Sequence, residues 1–197
     1  MKLLSIMLGM FVSVAFLVAF VLPKEKGSRS ANHFTRAEIQ RGAYLVNTIG
    51  GCNDCHTPRI MTPKGPVPDF KRMLSGAPAD EKVPEIPKGT LGPNGWGFLG
   101  TGDGTIFAGP WGVSFAANLT PDSATGIGDW TEKTFVDAMR KGQYWGSGRP
   151  LLPPMPWQEI GRMSNNDLRD IYAYLRSIRP VHNMVHDPIP PAQTVHH

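Results

Sequence analysis

Apolar and polar positions divide the chain into one continuous apolar run, three stretches of helical period and a long segment with neither. Residues 3–22 form an uncharged apolar run that, at about 1.5 Å per residue, spans about 30 Å, the hydrocarbon thickness of a bilayer. A helix is predicted over residues 35–49: Thr35 and Glu38 make a Thr-x-x-Glu capping pattern, and Ile39, Ala43 and Val46 share one face. Gly42 lies beside that face, where the missing Cβ admits a partner helix unless the position is simply exposed. Gly50 and Gly51 end the helix. A second helix is predicted from a Thr131 cap to a stop at Gly142, burying Phe135, Ala138 and Met139. The third starts at a Ser164 cap and repeats Leu168, Ile171, Tyr172, Leu175 and Ile178 until Pro180. Tyr172 and Tyr174 are the expected partners of Gly42 and Tyr44.

Strand-like alternation is weak throughout. Residues 57–117 hold 11 Gly and 9 Pro, which exclude a long regular element and leave a loop of functional length. Within it, Gly100 to Gly104 lacks the lysine ending and preceding strand of a phosphate loop. Trp96, Phe98, Phe107 and Trp111 are expected to cover a cofactor, to dock a partner, or simply to pack. The chain has 197 residues, and without the apolar run about 170 remain, the size of a single domain. The expected organisation is an anchor or signal segment over 1–22, a linker over 23–34, the main domain over 35–180 and a tail over 181–197.

The chemistry is concentrated in Cys52, Asn53, Asp54, Cys55 and His56, which use both cysteines of the chain. Cys-x-x-Cys-His is the spacing that attaches c-type haem. The thiols project from one side of a helical turn, so each can form a thioether to a porphyrin vinyl group, and His56 lies beneath the iron as proximal ligand. Its other ring nitrogen is expected to donate to a backbone carbonyl. A zinc site would want a fourth ligand where no further cysteine exists. A thioredoxin-like pair would want a preceding strand, whereas this one follows a helix. A structural disulfide is the remaining rival.

Charge adds little. The formal net charge is +4, but Lys2, Lys24, Lys26 and Arg29 against Glu25 place most of the excess in the first 30 residues. Two haem carboxylates would make the rest about neutral, so nucleic-acid binding finds no support.

The order of capped helix, Cys-x-x-Cys-His, loops, short helix, Pro-flanked Met and a terminal helix with Tyr172, Ala173, Tyr174 and Leu175 resembles the class I c-type cytochromes. Asn118 to Asp122, Thr125 to Gly128, Trp130 with Thr131, and Pro154 to Pro156 resemble the haem modules of bacterial membrane-bound dehydrogenase cytochrome c subunits. The likeness covers roughly residues 36–56 and 107–182. Such subunits often carry several haems, whereas this chain has one attachment motif. The resemblance implies a mostly α, class I cytochrome c fold: helices around one covalently bound haem c, a long Gly/Pro-rich loop insertion, and an N-terminal transmembrane helix. It also places Asn118 and Trp130 near the haem, as donors to a propionate or to the Met sulfur, with ordinary loop packing the alternative.

Met155 is the expected sixth ligand. Pro153, Pro154 and Pro156 stiffen its backbone and lower the entropy cost of holding a thioether in place. Met139 falls on an apolar helix face, and Met163 and Met184 have no such setting; the bland alternative for Met155 is core packing. His33, His182, His186, His196 and His197 read as exposed tail or linker residues.

Imidazole with thioether leaves no open position on the iron, so electron transfer, not catalysis, is expected. The reading is a membrane-tethered mono-haem carrier in a respiratory or related chain, with a dehydrogenase, quinol-oxidising complex or terminal oxidase as redox partner and no small-molecule substrate. The alternatives are an electron-accepting subunit of a dehydrogenase complex, or a haem enzyme with a displaceable Met155. By charge bias Lys24, Lys26 and Arg29 would hold the domain inside; haem attachment of this kind implies the periplasmic side of a bacterial inner membrane. Ser28, Arg29 and Ser30 are the nearest match to a cleavage site, which would leave a soluble periplasmic protein instead.

Overall fold

The Thr35 hydroxyl accepts from Glu38 N and the Glu38 carboxylate accepts from Thr35 N at 2.7 Å, completing the capping box that starts α1, Arg36–Tyr44. The computed structural model describes residues 34–92 and 94–191. The expected anchor, most of the linker, His33, His196 and His197 lie outside the described residues.

α1 continues into a π-helical turn, Leu45–Ile49. Gly51 then adopts a left-handed backbone (φ 57°) that turns the chain into α2, Cys52–His56. The hairpin of β1, Arg59–Thr62, and β2, Gly65–Pro68, follows. A second antiparallel sheet has the order β3, Leu99–Gly100, β4, Ile106–Gly109, and β5, Gly112–Phe115. The helical half resumes with α3, Glu132–Lys141, α4, Trp157–Gly161, and α5, Asn165–Ser177. Thr131 and Ser164 cap α3 and α5 as expected.

The three long helices meet in one core of Leu45, Val46, Phe135, Ala138, Leu168, Ile171 and Leu175. A smaller core of Ala77, Ile106, Ala108 and Val113 lies under the second sheet. Residues 57–117 are therefore a mixed insertion of short strands and loops with its own apolar centre. Their strands are two to four residues long, too short for alternation to register in the sequence.

α1 crosses α5 at Gly42. A Cβ there would lie 1.9 Å from the Asp170 carbonyl oxygen and 2.8 Å from Tyr174 Cβ. Tyr174 is thus the tyrosine that meets Gly42. Tyr172 points elsewhere: its ring packs against Phe34 and Phe135, and its hydroxyl donates to Trp130 O at 2.6 Å. Tyr44 is half exposed beneath the Arg41 guanidinium. Polar contacts reinforce the crossing. Arg169 of α5 donates to Glu38 at 3.1 Å and also to Glu132, joining the first turns of α1 and α3, while Arg41 pairs with Asp167 at 3.0 Å.

Residues 181–191 run back over the domain. Val113 and Ile189 exchange backbone hydrogen bonds at 2.8 and 2.9 Å, and the Asn183 amide donates to Ser75 O and Ala77 O, both at 2.8 Å. His182 is exposed beside Asp122, and exposed His186 packs on Phe115.

The helix crossing and its capping box can each be tested by one substitution. In Gly42→Ala the helix-propensity gain of about 1 kcal/mol competes with overlap against a fixed backbone carbonyl, and overpacking of about 1–3 kcal/mol wins. Urea unfolding should show net destabilisation; a stabilised variant would mean the helices separate freely. Glu38 is held near pKa 2, first by the Thr35 backbone N–H, against some opposition from burial, and then by the Thr35 hydroxyl and Arg169. Because the folded value is depressed, this stabilisation is complete above about pH 4.5 and is lost as pH falls towards 2. Glu38→Gln should cost about 1 kcal/mol at pH 7 and have a vanishing effect near pH 2, read by denaturant midpoints. An equal cost at both pH values would show that the charge is immaterial.

Candidate haem site

The π turn and the left-handed Gly51 deliver Cys52, Cys55 and His56 to the wall of a cavity, which holds about 1130 Å³ of empty space counting the open solvent at its mouth. A ladder of side chains fixes this motif to the rest of the fold. Tyr174 OH accepts from Asn47, whose Oδ1 accepts from Asn53 Nδ2 at 2.6 Å. Asn53 Oδ1 then accepts from the Thr57 hydroxyl at 2.6 Å, and Thr57 in turn accepts from Leu74 N at 2.9 Å. Asn53, an unconstrained letter of the motif, is thereby a structural link between α5 and the insertion.

His56 is buried, with Nδ1 2.7 Å from Ala117 O. A carbonyl only accepts, so Nδ1 carries the proton and Nε2 keeps its lone pair. Burial lowers the imidazole pKa, with the Ala117 bond opposing, so the ring stays neutral and able to ligate. The backbone is held too: Gly76 N donates to His56 O at 2.8 Å. Both thiols are free. Burial pushes Cys52 up to about 11 and raises Cys55 as well, the reverse of the activated thiolate of a redox dithiol.

Met155 lines the same cavity. Its loop is tied at several points: Leu151 N donates to Gly142 O at 2.8 Å, the Ser114 hydroxyl donates to Pro153 O at 2.6 Å, and Trp157 N donates to Met155 O at 2.9 Å. The bond between Pro153 and Pro154 is cis. Met139 also reaches the cavity, from the buried face of α3. Met184 is exposed.

Trp130 and Asn118 both border the cavity but differ in what they offer it. Trp130 is buried, and its indole N–H has no hydrogen-bond partner. Asn118 directs its amide hydrogens to Val181 O at 2.8 Å and Thr125 Oγ1 at 3.1 Å, while its oxygen accepts from Thr120 N. Asn118 thus braces the loop against residues 181–183.

The insertion supplies part of the wall through Phe107, Ser114 and Phe115. Of the four aromatics singled out in the sequence, only Phe107 lines the cavity; Trp111 donates to Ser114 and packs near Phe98, and Trp96 and Phe98 are mostly exposed. Sequence reasoning missed Ala117, Tyr144 and Arg149. Ala117 acts through a backbone carbonyl, which no side-chain pattern reveals.

The residues fit a haem. The walls are apolar, a neutral imidazole and a thioether line one space, two thiols stand beside the imidazole, and a buried indole N–H in the wall lacks a partner.

No family model matches the chain. It is 38% identical to the alcohol dehydrogenase (quinone) cytochrome c subunit of Gluconobacter oxydans over 73 residues, 36% of this chain and 15% of the relative. It is 37% identical to the gluconate 2-dehydrogenase cytochrome c subunit of Pantoea cypripedii over 79 residues, 40% of this chain and 18% of that protein. The alcohol dehydrogenase (quinone) cytochrome c subunit of Gluconacetobacter polyoxogenes matches over 146 residues at 27% identity, 74% of this chain and 23% of that protein. The chain thus spans under a quarter of the length of these relatives. Within that span it resembles a class I c-type cytochrome of the kind carried as haem modules by dehydrogenase cytochrome c subunits.

Proposed function

We propose that this chain is a mono-haem c-type cytochrome that carries single electrons to or from a dehydrogenase or another respiratory complex. Cys52 and Cys55 hold the haem covalently, His56 and Met155 ligate its iron, and residues 3–22 tether the domain to the outer face of a bacterial inner membrane. The observation that carries the reading is the convergence of Cys52, Cys55, His56 and Met155 on one apolar cavity. The printed names of the relatives, cytochrome subunits of dehydrogenases, favour a dehydrogenase as partner.

When bound, haem supplies a one-electron couple whose potential is raised by a thioether ligand. The chain's own residues supply the rest. Ala117 O orients the His56 ring through Nδ1, so the imidazole presents Nε2 without rearrangement. Ser114, Gly142 and the flanking prolines fix the backbone around Met155. Phe107, Phe115, Leu151 and Ile160 give the cavity apolar walls. Asn118 acts as a brace for the loop, and Trp130 as a donor. If His56 and Met155 both held the iron, no site would remain for a reacting substrate, and the function would be electron carriage, not catalysis.

The attachment and the ligand are tested separately. Cys52→Ala/Cys55→Ala should carry no haem through denaturing electrophoresis, whereas wild type should stain; haem retained by the double variant would overturn covalent attachment. Met155→Ala should lose the thioether-to-iron charge-transfer band and bind carbon monoxide rapidly in the reduced state, while wild type should not. Met139→Leu is the control, since Met139 also faces the cavity, and this volume-conserving swap should cost under about 1.5 kcal/mol and keep the band. Loss of the band in Met139→Leu but not in Met155→Ala would move the ligand to α3. Rapid carbon monoxide binding by wild type would favour a haem enzyme with a displaceable ligand.

A further inference from the structure

β1 and β2 pack chiefly on each other, and their hairpin carries exposed apolar side chains on both of its faces. The register pairs Ile60 with Val67 and Met61 with Pro66, and successive residues of a strand point to opposite faces. All four are exposed, Met61 at 72%, and Phe70, in the turn just beyond β2, is 70% exposed. Single exposed apolar residues are ordinary, but a cluster on one projection marks a contact surface. The hairpin is also stiff. The Thr62 hydroxyl donates to Gly65 O at 2.7 Å across the turn, and Asp69 N donates to Pro58 O at 2.8 Å at the base. Pro63, Pro66 and Pro68 fix their own φ. Little freedom is left to lose when the projection is covered.

Charge and backbone pairing say what covers it. Arg59 pairs with Asp54 at 4.0 Å and Arg72 with Asp69 at 2.9 Å. Exposed Lys64 in the turn and exposed Lys71 beside Phe70 make no ion pair among the described residues. Four cations against two carboxylates leave a positive surplus, which an anionic surface complements. The outer edge of β2 also rejects a strand. In an antiparallel pair alternate residues turn their N–H groups outwards. Counted from the bond between Asp69 and Pro58, the outward positions of β2 are 66 and 68, and both are proline. An edge without outward N–H groups gives a poor template for pairing with a protein strand. Apolar side chains on both faces suit a fluid that closes around the projection better than a flat partner that covers one side. The interfacial layer of a bilayer with anionic headgroups is such a fluid.

We propose that the hairpin of β1 and β2, with Phe70, dips into the interfacial layer of an anionic bilayer, where Lys64 and Lys71 meet lipid phosphates. This goes beyond the haem reading and does not depend on it, and it is a membrane contact separate from residues 3–22. β1 starts three residues after His56, and the base of the hairpin is bonded to Pro58. Seating the hairpin therefore sets how the cavity is turned towards the membrane.

The test is amide hydrogen exchange of the full-length chain, read by mass spectrometry, at one chain per lipid nanodisc. The discs are of phosphatidylcholine alone or of an equal mixture of phosphatidylcholine and phosphatidylglycerol. At low salt the peptide covering residues 59–72 should exchange roughly three- to tenfold more slowly in the mixed discs than in the neutral ones. High salt should remove the difference. A peptide within α5 should exchange alike throughout, which shows that the fold is unchanged. Lys64→Gln/Lys71→Gln should abolish the dependence on lipid charge, and Met61→Ser/Phe70→Ser should abolish the protection, each with α5 unaffected. Equal exchange in the two discs overturns the proposal, as does protection that survives in either double variant. Protection that follows the number of chains per disc instead of the lipid would assign the hairpin to a second copy and overturns it too. A chain that does not enter discs is not anchored by residues 3–22. The same comparison is then made with added vesicles of the two compositions, so failure of the tether and failure of this inference are read separately.

Discussion

The near-contact of two helix backbones at Gly42 sets the frame on which the site is built. With 1.9 Å from a notional Cβ to the Asp170 carbonyl oxygen, no other residue lets α1 and α5 cross at this depth. The crossing fixes the end of α1, and the end of α1 aims the π turn, Gly51 and the attachment motif. Arg169 adds a polar restraint by holding the first turns of α1 and α3 from α5. Its side chain is largely buried, where a charge lacking its partners would be destabilising, so this restraint selects one arrangement of helices rather than adding much net stability.

From that frame the site is assembled by small polar contacts between parts distant in sequence. The ladder from Tyr174 through Asn47, Asn53 and Thr57 to Leu74 carries the position of α5 into the insertion. The insertion returns the constraint through Ala117 O on His56 and Ser114 on Pro153. It thus orients the imidazole from one direction and restrains the methionine loop from another. A segment that reads as an appended loop is part of the cavity wall.

Legibility of the sequence follows the range of the interactions. The helix starts at Thr35, Thr131 and Ser164 depend on residues within one turn and are readable as caps, and the attachment motif occupies five consecutive residues. Gly42 is readable because an interior helix glycine is costly without a reason. The short strands of residues 57–117 are not, because segments of two to four residues carry no usable period, and their pairing depends on contacts such as that of Val113 with Ile189. Asn118 borders the cavity, but its bracing contact is with Val181, 63 residues away. Tyr172 has the spacing of a helix-crossing residue, yet its hydroxyl satisfies the carbonyl of Trp130, a demand that exists only once the loop is folded.

The electrostatic design of the cavity explains why so few of its residues are polar. A one-electron carrier works best when its surroundings need not reorganise as the charge changes, and apolar side chains with fixed backbone dipoles meet that condition better than mobile water. His56 is kept neutral by burial and oriented by a backbone carbonyl, and Met155 adds no charge. The guanidinium of the lining stands at the mouth, beside solvent, where its own desolvation is small. Apart from that guanidinium, no lysine, arginine, aspartate or glutamate lines the cavity among the described residues, so little in its walls would have to rearrange if a charge changed inside it.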